Sequence, residues 1–265
     1  MRSFPLITLI LLAALSGRAQ DTTWYTVLFK TTIRENAHSY RVKVRTDSGC
    51  RTASYYMTGR IISTSSYSDD SCHVAQGERC FYNATGIVTV RRNYKAGKLN
   101  GIETYYHDNG NIWATGNNLD GQPEGEWKSW HLSGKPAGIS QFAGGKQVSA
   151  RFFNENGNSN DKVDSFFRAA TYPGGNAALR SYLQRQVRYP DAAKRIGIEG
   201  YVVVQFKVSK EGKLTDIEVV KSVESSLDKE ACRVLRNLDD WEPALIGGLP
   251  VESTFKLPVS FRLSN

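Results

Sequence analysis

The sequence predicts an all-β antiparallel hairpin-repeat domain followed by a small α+β domain. Three observations predict this order. Glycines and aromatic residues recur with a period of 24 residues, as in Gly77, Gly101 and Gly125. From Phe166 onward, amphipathic helical stretches and alternating strands replace the repeat. Between the two patterns lies a polar stretch from Asn154 to Asp164, which we interpret as a linker.

The length and composition agree with two folded regions. A chain of 265 residues suffices for two ordinary domains, and 40% hydrophobic residues can form real cores. The formal net charge is +8, but the basic residues are scattered, as on solvated strand faces. Nucleic acid is excluded as a partner because the chain is predicted to be exported.

Export is predicted from residues 1–19, which have the pattern of a signal peptide. Arg2 precedes an apolar run from Phe4 to Leu15, and Gly17-Arg18-Ala19 has the small residues of a cleavage site. The run is too short to cross the hydrocarbon core of a bilayer, which takes about 20 residues. The expected location is the periplasm, with the mature chain beginning at Gln20. The alternative is an inner-membrane protein anchored through an uncleaved N-terminus.

Four cysteines fit an oxidising compartment without forming a disulfide scaffold. A bridge between Cys72 and Cys80 is predicted because the step between them suits a loop, and Cys50 then stays free. Cys232 lies on an apolar helical stripe and is predicted to be a buried core thiol.

The repeat domain is predicted to span residues 20–160. Each unit contains an aromatic pair, such as Tyr105-Tyr106, followed by a glycine turn, such as Asp108-Asn109-Gly110. Such units favour one hairpin per repeat, with neighbouring repeats stacked into a single antiparallel sheet. Degenerate copies are expected around Gly59 and Gly157.

No residue pattern predicts catalysis or a metal site. His107 and His131 occupy equivalent repeat positions, so we interpret them as recurring strand-end residues and not as a catalytic pair. Cys72, His73 and Cys80 lack a fourth zinc ligand at the usual spacing. We therefore expect a protein that is not an enzyme and carries no metal or cofactor.

The second domain is predicted to span residues 166–265. Helices are expected after Asn176 as N-cap, from Pro190 as first helical residue, and after the capping-box pattern at Ser225. A strand from Gly200 to Val208 alternates apolar and polar residues. The last strand, Ser253 to Leu263, contains Pro258, which cannot donate to a ladder and therefore indicates an edge strand or a bulge.

Two family resemblances rest on these motifs. The segments from Asn100 to Gly110 and from Glu124 to Gly134 resemble MORN-type repeats. The stretch from Tyr172 to Leu263 resembles the C-terminal domain of the TonB family, through motifs that occur in family order. They are Tyr172-Pro173-Gly174-Gly175, Tyr189-Pro190, Gly197-Ile198-Glu199-Gly200, Trp241-x-Pro243-Ala244 and Pro258-Val259-x-Phe261.

The second resemblance implies two helices on a three-stranded antiparallel sheet. It also implies that the last strand pairs with a short extended segment of an outer-membrane TonB-dependent transporter or another envelope protein. Carried over to this chain, it assigns partner binding to Tyr189, Pro190, Thr254, Phe255, Lys256, Leu257, Val259 and Phe261. A role in energy-dependent transport would need inner-membrane motor proteins as further partners, which requires an uncleaved N-terminus. The alternative function is an envelope scaffold whose repeats bind glycan or protein without energy transduction.

Overall fold

The computed structural model describes residues 20–25, 31–32 and 37–263. These divide into two compact units, with the boundary between Asp164 and Ser165. The predicted signal peptide, residues 1–19, lies outside the described residues. Within the described ranges, no helix has both the length and the apolar character needed to cross a membrane.

The N-terminal unit is one large antiparallel sheet, in which strands adjacent in sequence are mostly adjacent in space. Its described strands are β1 (Gln20–Tyr25), β2 (Thr31–Thr32), β3 (Ser39–Thr46), β4 (Gly49–Tyr56), β5 (Ile61–Tyr67), β6 (Ala75–Tyr82), β7 (Val88–Lys95), β8 (Lys98–Leu99), β9 (Gly101–Tyr106), β10 (Ile112–Leu119), β11 (Gln122–Trp130), β12 (Pro136–Ala143) and β13 (Lys146–Phe152). The sheet runs from β13 back to β3 and then through β1 to β2, with β8 attached to β7. The predicted antiparallel meander is confirmed.

The repeat is visible as five turns with the same hydrogen bonds. In each, the first residue donates its N–H to the carbonyl of the residue four positions on, and the glycine at the fourth position donates to the carbonyl of the first. These glycines have φ between 82° and 86°, which only glycine adopts readily. The turns are Tyr56–Arg60, Asn83–Ile87, His107–Asn111, His131–Lys135 and Asn154–Asn158. The degenerate copies at Gly59 and Gly157 therefore have the same geometry as the others.

One contact shows how a repeat fills its interior. Trp127 on β11 is fully buried, and its ring lies against the backbone of Gly116 on β10. A Cβ atom at position 116 would be 2.1 Å from that ring, so a glycine is required there. The indole Nε1 of Trp127 donates to the carbonyl of Asn117 at 3.0 Å, which leaves this nitrogen paired.

A buried polar network joins the central repeats. The carboxylate of Glu103 on β9 accepts from Arg92 Nε at 2.6 Å, from the Tyr105 hydroxyl at 2.8 Å and from Asn118 Nδ2 at 2.8 Å. Only 5% of Glu103 is exposed. Burial, followed by the negative charge of Glu103, holds the pKa of Tyr105 far above its usual range. The neutral hydroxyl of Tyr105 thus donates to the carboxylate of Glu103, whose charge is paired with that of Arg92.

The polar stretch from Asn154 to Asp164, interpreted as a linker from the sequence, is hydrogen-bonded to the sheet. Phe153 pairs with Ser159, and the N–H of Asn160 donates to the carbonyl of Phe152 at 2.8 Å. Gln147 on the last strand donates through Nε2 to the carbonyl of Asp164 at 2.7 Å. This stretch therefore covers part of the terminal strand of the sheet, which would otherwise offer an unpaired edge.

The C-terminal unit contains the helices α1 (Gly175–Gln186), α2 (Asp191–Arg195) and α3 (Ser225–Arg236). Its strands are β14 (Phe167–Arg168), β15 (Gly200–Val208), β16 (Leu214–Lys221), β17 (Ala244–Ile246), β18 (Leu249–Val251) and β19 (Ser253–Phe261). They form two three-stranded sheets, ordered β16-β15-β19 and β14-β17-β18. The α+β class is confirmed, whereas the counts differ from two helices and one sheet.

The second small sheet was missed although the sequence carries its signal. Gly247 and Gly248 connect β17 to β18 with φ of 67° and 72°, as in a two-residue hairpin turn. The flanking residues are short apolar runs, so a Gly-Gly hairpin could have been predicted.

Helix starts also differ from the prediction. The N-cap of α1 is Gly174 and not Asn176, and α2 begins at Asp191 with Pro190 as its N-cap. The N-cap of α3 is Glu224, whose carboxylate accepts from the N–H groups of Ser226 and Leu227. The helix dipole stabilises a negatively charged carboxylate at the N-cap, whereas it has little effect on a neutral serine hydroxyl.

The core of the C-terminal unit follows the predicted periodicities. Val202, Val204, Phe206 and Val208 alternate along β15, and all four are fully buried. They face the apolar stripe of α3, whose buried residues are Leu227, Ala231, Val234 and Leu235. Cys232 packs against this core but is only partly buried, so the prediction of a buried thiol is only partly met.

The predicted bridge between Cys72 and Cys80 is wrong, because Cys72 is bonded to Cys50. Cys80 lies in the middle of β6, opposite Thr64 and Arg91, and its thiol is buried and free. The loop that carries Cys72 leaves β5 at Tyr67, which is paired with Cys50. Strand register therefore places Cys50, and not Cys80, beside the loop.

Removing this disulfide is expected to lower the stability of the N-terminal unit by about 3 kcal/mol, because the closed loop restricts the unfolded chain. The paired variant C50S/C72S should show this loss in thermal unfolding. Reductant should lower the wild-type midpoint to that of the variant and leave the variant unchanged. Peptide mapping that finds Cys80 in a disulfide would contradict the assignment.

Candidate functional site

Strand β19 forms one edge of the sheet β16-β15-β19, so one of its sides has no described strand next to it. It pairs with β15 over its whole length, from Ser253 opposite Val208 to Phe261 opposite Gly200, without a register shift. An unpaired strand edge of this regularity is a template for an additional strand.

The other edge of the same sheet is irregular. The pairing of β16 with β15 shifts register twice, once between Val203 and Val204 and once between Gln205 and Lys207. Asp216 on β16 also has a positive φ of 52°. Bulges twist an edge and interrupt its row of donors and acceptors, so β16 is the poorer template for a partner strand.

Side chains of β19 alternate between the core and the exposed face. Val259 and Phe261 are each 1% exposed, and Phe255 and Leu257 are partly buried in the same core. Thr254, Lys256, Pro258 and Ser260 are exposed. Of the residues predicted to bind a partner, Thr254 and Lys256 can therefore offer side chains. Val259 and Phe261 are buried in the core and hold the strand in place, so their side chains are not available to a partner.

Pro258 fixes which backbone groups face the open edge. It pairs with Val203 within an uninterrupted ladder, although it has no N–H to donate. A proline fits such a ladder when its nitrogen points away from the neighbouring strand. Backbone groups of residues two apart point the same way in a strand. We therefore infer that Thr254, Lys256 and Ser260 direct their N–H groups to the open edge.

Tyr189 lies next to the end of β19. Its ring meets that of Phe261 edge to face, with centroids 5.9 Å apart, and its hydroxyl donates to the carbonyl of Ile198. Burial raises the pKa of the Tyr189 hydroxyl, and the nearby charge of Glu199 raises it further. Pro190 follows as the N-cap of α2. The structure thus brings Tyr189 together with β19, as predicted.

The core behind β19 contains three aromatic rings that are in contact with one another. The ring of Phe255 stacks on Phe206 with centroids 5.9 Å apart and lies 5.1 Å from Trp241. In the sequence Trp241 belongs to a family motif, and its packing under β19 follows from the tertiary fold. These contacts pack Phe255 of β19 against the core of the unit.

Lys256 is the one charged residue of β19, and its charge is positive. Lys256 is exposed, and no ion pair to it is present among the described residues. Lys207, on the neighbouring strand β15, is instead paired with Asp216 at 2.9 Å and with Glu252 at 3.2 Å. Lys256 is therefore available to an acidic side chain of a partner.

The two histidines at equivalent repeat positions, His107 and His131, form hydrogen bonds within the N-terminal sheet. His107 donates from Nε2 to the carbonyl of Trp130 at 3.0 Å, and His131 donates to the carbonyl of Phe153 at 2.9 Å. Each thus ties its own turn to the residue preceding the next turn. Across the described residues, no group of three or more potential metal ligands is present.

Comparison with known proteins gives a family match in each of the two units of the chain. Residues 185–263 match the family model described as Gram-negative bacterial TonB protein C-terminal. Residues 99–117 and 123–143 match the MORN repeat variant. Both predicted resemblances are thereby confirmed.

Similar proteins include the protein TonB of Pasteurella multocida, which is 31% identical over 110 residues. That match covers 41% of this chain and 38% of the relative, so the chain spans less than half of the relative's length. Two solution structures of the TonB C-terminal domain of Helicobacter pylori are also similar, each at 26% identity. One covers 33% of this chain and 78% of its own, with a TM-score of 0.27; the other covers 34% and 94%, with a TM-score of 0.26.

Proposed function

Because residues 185–263 match the C-terminal family of TonB proteins, we propose that this chain is a TonB-like binding protein of the bacterial envelope. It binds a short extended segment of an outer-membrane transporter, which adds as a strand to the open edge of β19. The observation that carries the proposal is the difference between the two sheet edges, since β19 is regular and β16 is bulged.

Strand addition would use the backbone of β19 for affinity and its exposed side chains for selection. The N–H groups of Thr254, Lys256 and Ser260 would donate to the incoming segment, and Pro258 would leave one gap among these donors. Lys256 would favour a partner with an acidic residue at the adjacent position. No chemical step is needed, and we propose that the protein is not an enzyme.

The periplasm is the proposed location. The signal-peptide pattern of residues 1–19 favours export, and the disulfide between Cys50 and Cys72 requires an oxidising compartment to persist. Participation in energy-dependent transport would further require contact with inner-membrane motor proteins, and mapping the N-terminus of the protein in cells would test whether it stays attached.

Photo-crosslinking in cells tests the binding edge. A photoreactive amino acid is placed at Thr254, Lys256 or Ser260 on β19, and at Thr215 or Glu218 on β16 as the matched control. We expect adducts with an outer-membrane protein from the β19 positions only. Adducts from β16 alone, or equally from both edges, would overturn the assignment.

Proline substitution tests the inferred direction of the backbone groups. Lys256→Pro removes a donor that faces the open edge, so we expect the unit to stay folded while partner capture falls about fivefold, the value of one hydrogen bond. Leu257→Pro removes a donor to β15 and should unfold the unit instead. If Lys256→Pro unfolds the unit and Leu257→Pro does not, the N–H of Leu257 faces the open edge and that of Lys256 faces β15, which would contradict the inference.

A further inference from the structure

The N-terminal sheet carries a cavity of about 650 Å³ on one face of strands β3 to β6. This volume lies within the range of about 300 to 1,000 Å³ that is usual for small-molecule sites. Its apolar floor is formed by Val42, Val44, Ala53 and Tyr55, with Ile61 at the turn. Strand register explains the floor, because Val42 pairs with Ala53 and Val44 with Arg51, and paired residues point to the same face of a sheet.

The charged side chains around the floor leave an excess of positive charge. Glu78 is the acidic residue of the lining, and it is neutralised by Arg91 at 3.2 Å. Arg51 and Arg60 also line the cavity, and neither forms an ion pair within the described part of the chain. Arg60 lies over the ring of Tyr56 at 5.8 Å and donates to Thr58 at 3.4 Å. Arg51 has no such contact and is available to a ligand.

A second, smaller cavity of about 260 Å³ lies on strands β11, β12 and β13 of the same sheet. There Glu126 takes the place of Glu78, two repeats further on, and is neutralised by Lys128 at 2.7 Å. Arg151 also lines this second cavity, and among the described residues no ion pair to it is present. Volume distinguishes the two cavities, because about 260 Å³ lies below the usual range of small-molecule sites and about 650 Å³ lies within it.

We propose that the N-terminal cavity binds a single amphiphilic molecule with an anionic head group. Its apolar portion lies on the floor formed by Val42, Val44, Ala53 and Tyr55, and its carboxylate or phosphate is held by Arg51. Tyr55 and Arg51 are four residues apart on β4, which spans about 13 Å. The head group and the apolar portion are thus bound at different ends of β4. Guanidinium groups bind both carboxylates and phosphates through paired hydrogen bonds.

Titration calorimetry of the full chain with decanoate, kept below its aggregation concentration, tests the proposal. We expect one saturable site, with affinity rising up to about fourfold for each added methylene from hexanoate to decanoate. Arg51→Gln should weaken decanoate binding about tenfold, as the loss of a hydrogen bond to a charged group does. Lys95→Gln removes an equal charge from an exposed site outside the cavity and should leave binding unchanged.

Three further results would overturn the proposal. Equal affinity for decanoate and the neutral decyl maltoside would show that charge is not recognised. Equal weakening by Arg51→Gln and Lys95→Gln would show that net charge, and not the cavity, attracts the anion. Binding to vesicles of anionic phospholipid without binding of monomeric decanoate would assign the site to a membrane surface. Arg51 is exposed, so its substitution should leave the fold intact, and circular dichroism of the variant checks this.

Discussion

Glu103→Ala is expected to destabilise the N-terminal unit by about 3 kcal/mol, because the partly buried charge of Arg92 and two buried polar side chains lose a shared acceptor. The carboxylate of Glu103 accepts from Arg92, Tyr105 and Asn118 at 2.6 to 2.8 Å. Without it, the guanidinium of Arg92 and the buried hydroxyl of Tyr105 lose their acceptor together. Native-state hydrogen exchange of amides in β9 and β10 measures the loss, since it reports the stability of this unit separately.

Glu126→Ala is the matched control, since Glu126 also forms an ion pair with a neighbouring cation. The pair of Glu126 with Lys128 is about half exposed, with 46% of each side chain accessible. Exposed pairs contribute about 0 to 1 kcal/mol, so this variant should stay close to the wild type. Replacing both Arg92 and Glu103 by apolar residues, as in R92M/E103L, should recover only the part of the loss due to the unpaired guanidinium, because Tyr105 and Asn118 still lack the Glu103 acceptor. Equal losses for Glu103→Ala and Glu126→Ala would contradict the buried network.

Gly212→Ala is expected to destabilise the C-terminal unit by about 2 to 5 kcal/mol, the sum of backbone strain and overpacking. Gly212 has φ of 86°, and a Cβ there would lie 2.0 Å from the carbonyl oxygen of Trp241. The N–H of Trp241 also donates to the carbonyl of Gly212 at 2.8 Å. The turn cannot move away without breaking this bond, and Trp241 packs under β19. Native-state hydrogen exchange of amides in β15 and β19 measures the loss, since it reports the stability of this unit separately.

Gly197→Ala is the control that separates the two causes. Gly197 has a comparable φ of 67°, but a Cβ there would meet no atom within 4 Å. Its substitution should cost only the strain of a left-handed residue, about 1 to 2 kcal/mol. If both alanine variants lose the same stability, the contact between the turn and Trp241 contributes nothing. Partner capture by Gly212→Ala should fall as well, because the edge strand depends on this core.

Local patterns allowed much of the fold to be predicted. The repeat was recognised because each turn needs a glycine at one position, and the hydrogen bonds of that turn lie within five residues. The strand from Gly200 to Val208 was predicted with its observed bounds, since alternation of apolar residues specifies which face is buried. Helix starts were less well predicted. The capping group of α3 was Glu224, one residue before the expected serine, and both residues could have served from sequence alone.

The sequence by itself determined the order of the two units, the repeat, and the family motifs of the C-terminal unit, because all of these depend on spacing along the chain. Only the tertiary structure decided the partner of Cys72, the more regular edge of the C-terminal sheet, and the presence of a cationic cavity. Each of these depends on which strands lie side by side. Strand register brings Cys50 to Tyr67, and it leaves Arg51 without a carboxylate. Pairing between distant residues is set by the whole sheet and cannot be read from any single stretch.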